Sequence, residues 1–204
     1  MLYRLIRNDV LRSTAVTLTT MLFVAAAALL VALAATLVVN LAGAIDSMMT
    51  RAKTPHFMQM HAGPLDRERL AAFADGNDAV ADFQVLEFLN LDGSQFEFAG
   101  GSLAASVQDN GLSVQSERFD FLLDLDGNVI APVDGSIYVP ITYMQDGTAR
   151  IGDTVSVAGT PLTIAGPLRD SQMQPLLSSS KRFLVSRNDF ADIEPFGSME
   201  YLIE

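Results

Sequence analysis

The chain has 204 residues, half of them apolar, with 24 acidic against 13 basic side chains and a net charge of −11. It has no cysteine, which excludes a disulfide framework, a thiolate metal site and lipoprotein-type acylation. Beyond position 45 there are 23 acidic and 10 basic residues, a net of −13, and a surface of that sign repels phosphate backbones, so nucleic acid is not an expected partner.

In chain order, residues 1–14 place Leu2, Leu5, Ile6, Val10 and Leu11 broadly on one helical face, with Arg4, Arg7 and Arg12 between them. This pattern predicts a short interfacial helix on the cytoplasmic leaflet. Residues 13–45 then contain no Asp, Glu, Lys or Arg. A hydrocarbon core needs roughly 20 apolar residues, so a helix over 15–53 crosses the bilayer and continues as a stalk. The sequence Ala42-Gly43-Ala44 also fits a signal-peptidase site, but the apolar run is about twice the ~7–15 residues of a signal-peptide centre, which favours a retained anchor. The basic flank ahead of the run puts the N-terminus in the cytoplasm and the acidic remainder outside. Small residues recur along the run. Ala28 and Ala32 stand four apart, and with Ala35 and Gly43 they form the expected surface for close packing against other membrane helices.

Past the stalk, Pro55 ends the helix, and His56–His61 reads as a strand with Met58 and Met60 on one face and Phe57, Gln59 and His61 on the other. Asp66 caps a predicted helix over Arg67–Ala74, with Leu70 and Phe73 inward and Gly76 at its C′ position. Asp82–Leu91 is a strand, turned at Asp92-Gly93 into a hairpin with Gln95–Phe98. Turn signals follow at Asn110-Gly111, Asp126-Gly127, Asp134-Gly135, Asp146-Gly147 and Gly152-Asp153. Thr154–Ala158 and Leu162–Ala165 pair around Gly159-Thr160, Lys181–Val185 is a strand, Ser186 caps a helix through Ile193, and Met199–Ile203 is the closing strand.

The expected fold class is therefore α+β. One transmembrane helix precedes a ferredoxin-like split β-α-β lobe (about 54–92 and 181–204) that carries an inserted small all-β lobe (about 93–180). Chemistry-bearing motifs are sparse. His56, Met58, Met60 and His61 suggest a soft-metal site, but strand alternation separates the methionines from His61, and core packing is the ordinary use of Met. Asp124–Asn128 lacks the position-6 Gly and position-12 Glu of a calcium loop and reads as a turn. No nucleophile elbow, Ser-x-x-Lys or phosphate-cradling loop is present. No catalytic, cofactor or metal residue is expected, and the chain does not read as an enzyme.

Three segments carry a resemblance: Gly135-Ser-Ile-Tyr-Val-Pro140, then Ile151-Gly-Asp-Thr-Val-Ser-Val157, then Leu162-Thr-Ile-Ala-Gly166. With Leu168–Met173, Ser178–Ser186 and Thr54–His61, the chain resembles the N-terminal part of bacterial ABC-transporter permeases of the FtsX/MacB type, in a Gram-positive-like subgroup. The resemblance implies a bacterial cell-membrane protein, a cytoplasmic ABC ATPase subunit as partner, a second permease copy or paralogue, and three further transmembrane helices beyond Glu204. It implies a permease that couples ATP hydrolysis to movement of an extracytoplasmic domain. The alternative is a single-span extracytoplasmic sensor or binding module without an ATPase.

Overall fold

The computed structural model describes residues 13–173 and 178–204, so the helix expected over residues 1–14 lies almost wholly outside the described residues. The chain divides into two units, Met1–Ser47 and Met48–Glu204.

The first unit holds most of helix α1 (Thr14–Ala52, 39 residues), which at 1.5 Å per residue is about 58 Å long. It contains no proline, so its hydrogen-bond ladder is unbroken. Thr19, Thr20 and Thr36 donate to the carbonyls of Ala15, Val16 and Ala32, four residues back, at 2.9 Å. Their hydroxyls are thus satisfied within the helix, which keeps its outer surface apolar. Among the described residues this is the one helix long and apolar enough to cross a membrane. Its length and composition, near the N-terminus, are of the kind that membrane anchors and signal sequences share.

The second unit is mixed α+β, built on one ten-stranded sheet. Its strands are β1 (Gln59–Ala62), β2 (Val85–Leu91), β3 (Phe96–Phe98), β4 (Gly101–Ser102), β5 (Asp109–Ser113), β6 (Ser136–Pro140), β7 (Thr154–Val157), β8 (Thr160–Leu168), β9 (Ser180–Val185) and β10 (Ser198–Ile203). Short helices α2 (Arg67–Asp75), α3 (Ile141–Gln145) and α4 (Arg187–Ile193) connect them. The strand order is β1-β10-β2-β5-β9-β6-β8-β7-β3-β4, with β5–β9 and β6–β8 parallel and the other pairs antiparallel. Both β1 and β2 run antiparallel to β10, so β1-α2-β2 is a split β-α-β unit with β10 between its strands. In β9-α4-β10, two strands, β2 and β5, lie between the parallel pair. The sheet also curls. β3 is four places from β9 in the order, yet the Phe96 ring stacks on Phe183 at 4.6 Å and Tyr143 stacks on Phe183 at 5.5 Å. These rings and Leu89, Leu112, Ile137, Val155 and Leu162 form the main apolar core.

Several expected elements form where the pattern placed them. The β7–β8 hairpin turns at Gly159 (φ +85°), and α4 starts at Ser186, whose Oγ accepts from the Asp189 N–H at 3.1 Å. Others differ. Asp92-Gly93 opens a 3-10 turn in which Asp92 and Gln95 cap each other, and β3 pairs with β4 and β7 rather than with β2. Gly93 is required there because a Cβ would lie 2.2 Å from the Leu103 carbonyl oxygen. Asn110-Gly111 is interior to β5, not a turn: Asn110 is buried and accepts from the Tyr143 hydroxyl at 2.6 Å. Phe73 does not face inward. It is 61 % exposed, because α2 is anchored elsewhere, through the Asp66 cap, the Arg67–Glu87 pair at 3.5 Å and Arg67 over the Tyr201 ring. Gly76 has φ −89° and so does not adopt the left-handed C′ conformation.

Gly111 lets the sheet pack as it does: a Cβ would sit 2.5 Å from the Phe88 ring and 2.7 Å from the Leu89 carbonyl oxygen. Gly111→Ala is expected to destabilise the unit by roughly 1–3 kcal/mol through overpacking. Gly100→Ala, in open space, is expected to be near neutral. Denaturant unfolding followed by circular dichroism measures both.

Candidate functional site

The described structure places the expected membrane-packing residues on α1, in the first unit. Ala28, Ala32 and Ala35 follow i, i+4, i+7 spacing and share one exposed face, and Gly43 has open space around its Cα. Met58 and Met60 pack against Phe88, Met173 and Leu202, while His61 Nε2 lies 3.2 Å from the Pro64 carbonyl oxygen. No group of three His, Asp or Glu side chains suited to a metal occurs among the described residues.

A different constellation stands out in the second unit, at the exit of α1. The helix ends in a Schellman motif, with Lys53 N–H donating to Thr50 O at 3.2 Å and Thr54 N–H to Met49 O at 3.0 Å. Lys53 takes the left-handed conformation (φ +49°) that glycine usually fills. Two carbonyls the motif leaves open are taken up by a loop. Phe121 N–H donates to Ala52 O at 2.7 Å and Asp120 N–H to Lys53 O at 3.0 Å. Ala52 is fully buried, Lys53 Nζ lies over the Phe121 ring, and Arg51 donates to the Asp126 carbonyl at 3.1 Å.

The Asp120 side chain continues inward. Its Oδ2 accepts from Arg182 Nη1 at 2.5 Å, and Arg182 Nε and Nη2 donate to the two Asp170 oxygens at 2.6 and 2.8 Å. The Arg182, Asp120 and Asp170 side chains are 1 %, 0 % and 3 % exposed. Asp170 also accepts from the Gln172 and Met173 amides. Beside this triad, Lys181 is buried and donates to the Met173 carbonyl at 2.9 Å. Glu204 is buried too: its backbone pairs with Gln84, whose Nε2 donates to Glu204 Oε2 at 2.7 Å and to the Phe119 carbonyl at 2.9 Å. Glu204 Oε1 is buried without a hydrogen-bond partner.

Electrostatics follow from this packing. Burial opposes ionisation of Asp170, but the Arg182 charge and hydrogen bonds hold its carboxyl below the ordinary 3.8. Burial likewise works against the Arg182 cation, and the two carboxylates more than offset it, so the guanidinium stays charged. Lys181 is pushed down by burial, against the pull of Asp170. Glu204 is pushed up to about 8 by burial and by the Asp120 charge, against its Gln84 hydrogen bond and Arg182. A cavity of about 10 Å³ beside Arg182 and Asp170 has room for no more than a water.

Sequence reading did not single out Asp120, Asp170, Glu204 or Gln84, and it did not connect Arg182 with them. One signal was available: Lys181 and Arg182 are adjacent cations inside an apolar strand, so alternation must turn one of them to each face. The carboxylate partners of Arg182 are 12 and 62 residues away in sequence and carry no local mark. Comparison with protein-family models and with curated proteins finds no match.

Arg182→Met is expected to cost roughly 3–5 kcal/mol at neutral pH, because it strands two buried carboxylates. Adding Asp120→Asn and Asp170→Asn is expected to recover most of that loss in urea titrations. Two pH effects have opposite signs. Glu204 moves from an ordinary 4.5 when unfolded to about 8 when folded, so the unit loses stability as pH rises from 4.5 to 8. Asp170, held below 3.8, adds stability above that pH that is lost on acidification. Urea midpoints across pH 3–9 should therefore peak near pH 4–5, and Glu204→Gln should flatten the alkaline decline.

Proposed function

We propose that the chain is the leading segment of a permease subunit of an ATP-driven ABC transporter of the mechanotransmission or efflux type. On this reading α1 is a retained membrane anchor with its N-terminus in the cytoplasm of a bacterial cell, and residues 54–204 are extracytoplasmic. The ATPase is a separate cytoplasmic subunit, and a second permease copy or paralogue completes the membrane part. The chain itself catalyses no reaction. β1-α2-β2 and β9-α4-β10 correspond to the ferredoxin-like lobe, here with β5 interposed between β2 and β9, and the strands between them correspond to the inserted β-rich lobe.

The observation that carries this reading is the exit of α1. A bare anchor needs only a flexible tether after the span, whereas here the last turn closes in a Schellman motif and its free carbonyls are taken by Asp120 and Phe121. Within the second unit, this ending ties residues 49–54 to the loop at 120–121 where a bare tether would leave them free. The apolar, uncharged run and the small-residue face of Ala28, Ala32, Ala35 and Gly43 support packing against neighbouring helices.

The absence of cysteine allows a direct test. Single cysteines at Ala28, Ala32 and Ala35, with Leu30 and Leu33 as controls, are oxidised in native membranes after an alkaline carbonate wash. Cross-links at the alanine positions but not at the leucines are expected. A co-purifying subunit bearing a Gly-x-x-x-x-Gly-Lys loop is also expected. Release of the chain by carbonate, or equal cross-linking all round the helix, would overturn the reading.

A further inference from the structure

Asn110-Gly111 has the composition of a turn yet lies inside β5. It is the one Asn-Gly pair in the sequence, and the pairing has a chemistry of its own. Asparagine is a thermolabile residue, and glycine after it puts no side chain in the way of the amide nitrogen that follows. That nitrogen attacks the asparagine Cγ whenever the backbone is free to turn toward it.

The fold denies this approach. β5 is paired on both sides, antiparallel to β2 (Asn90↔Gly111, Leu91↔Asn110) and parallel to β9 (Asn110↔Lys181, Gly111↔Arg182), so its backbone is held extended. Asn110 is 1 % exposed, and both ends of its side-chain amide are engaged. Its Nδ2 donates to the Gln108 carbonyl at 2.9 Å, and its Oδ1 accepts from the Tyr143 hydroxyl at 2.6 Å. Tyr143 is fixed in turn by stacking on Phe183. At Gly111 the Phe88 ring and the Leu89 carbonyl fill the space a Cβ would need, so a bulkier, protecting residue has no room there. The feature that lets the sheet pack is the one that leaves the pair reactive outside it.

We propose that Asn110-Gly111 is a latent deamidation site, closed while β5 is in the sheet and open when it leaves, and that its reaction makes loss of the fold irreversible. In the released strand the Gly111 nitrogen bonds to Asn110 Cγ, the Cγ–Nδ2 bond breaks, and ammonia departs with the proton from the Gly111 amide. Water then opens the cyclic imide at either carbonyl, leaving aspartate or isoaspartate. Neither product fits. Aspartate puts an acceptor against the Gln108 carbonyl, in a buried place where Nδ2 donated. Isoaspartate routes the chain through the side-chain methylene and throws Gly111–Ser113 out of register with β2 and β9. In the strand order β5 stands between β1-β10-β2 and all the other strands, so its exclusion parts the sheet. The site responds to the state of the sheet alone, in a transporter segment or in a plain anchored domain, and does not depend on the function proposed above.

The test holds the full chain in detergent micelles at mildly alkaline pH, with and without enough urea to unfold the sheet, and follows the Asn110 peptide by mass spectrometry. Conversion is expected to be at least roughly a hundredfold slower in the folded chain, because the site reacts only while β5 is released. Mass identifies the reaction, since isomerisation at Asp92-Gly93, Asp126-Gly127, Asp134-Gly135 and Asp146-Gly147 leaves it unchanged. On dilution from urea, molecules that regain protease resistance are expected to carry Asn110, and those that do not, the converted residue. Asn110→Asp supplies one product directly, with no refolding step. It is expected to be digested roughly tenfold faster than wild type or more, and failure to fold is the same result. Equal conversion with and without urea, refolded molecules as often converted as not, or an Asn110→Asp chain as resistant as wild type would each overturn the proposal.

Discussion

A guanidinium with almost no exposure constrains everything around it. Arg182 cannot shed its proton, so its position must supply carboxylates, and the two it finds come from segments doing other work. Asp120 lies on the loop that receives the last turn of α1. Asp170 follows β8 and orders the next turn by accepting from two backbone amides. One cation on β9 therefore fixes a helix exit, a strand end and a loop relative to one another. Buried ion pairs seldom add stability over a well-packed apolar replacement. On that accounting the cluster contributes position, and the position it sets is where α1 ends.

The curl of the sheet makes such a site possible. Every residue of β9 from Ser180 to Val185 is buried. On one face Phe183 stacks between Phe96 and Tyr143, rings brought from strands and a helix that the flat order would hold apart. On the other, Arg182 and Leu184 alternate along a second interior, where Leu184 joins Leu122, Ile130 and Leu168. The aromatic stack pins the strand and its alternation aims the guanidinium. A flat sheet with one solvated face would have left Arg182 in water, where an ion pair fixes little.

What the sequence made legible follows from which signals are local. The uncharged run over 13–45 is visible because hydropathy belongs to each residue separately, and the turns at Gly127, Gly135, Gly147 and Gly159 are visible because positive φ is a single-residue property. Failures came where a distant neighbour decided. Asn110-Gly111 has the composition of a turn, but Phe88 needs the space a Cβ would fill and Tyr143 supplies Asn110 with a partner, so the pair is strand. Asp92-Gly93 has the composition of a hairpin, but Leu103 crosses Gly93 and sends β3 to β7. Phe73 sits on an inward-looking period, yet Arg67 and Asp66 set the placement of α2. The ionic cluster belongs with these, since its members are joined only by the fold.

Charge explains why the fifth member of the cluster differs from the others. The chain beyond residue 45 has 23 acidic residues and 10 basic ones, so cations are scarce, and two of the ten are buried side by side at Lys181 and Arg182. Arg182 alone forms the ion pairs with both Asp120 and Asp170, while Lys181 donates to the Met173 carbonyl. Burial disfavours the ionised form of an acid in that position, and the Glu204 carboxyl is pushed up to about 8 although its surroundings are polar. Scarcity of positive charge in the whole domain thus becomes a titratable proton at one joint, and it falls beside the residue that receives the helix.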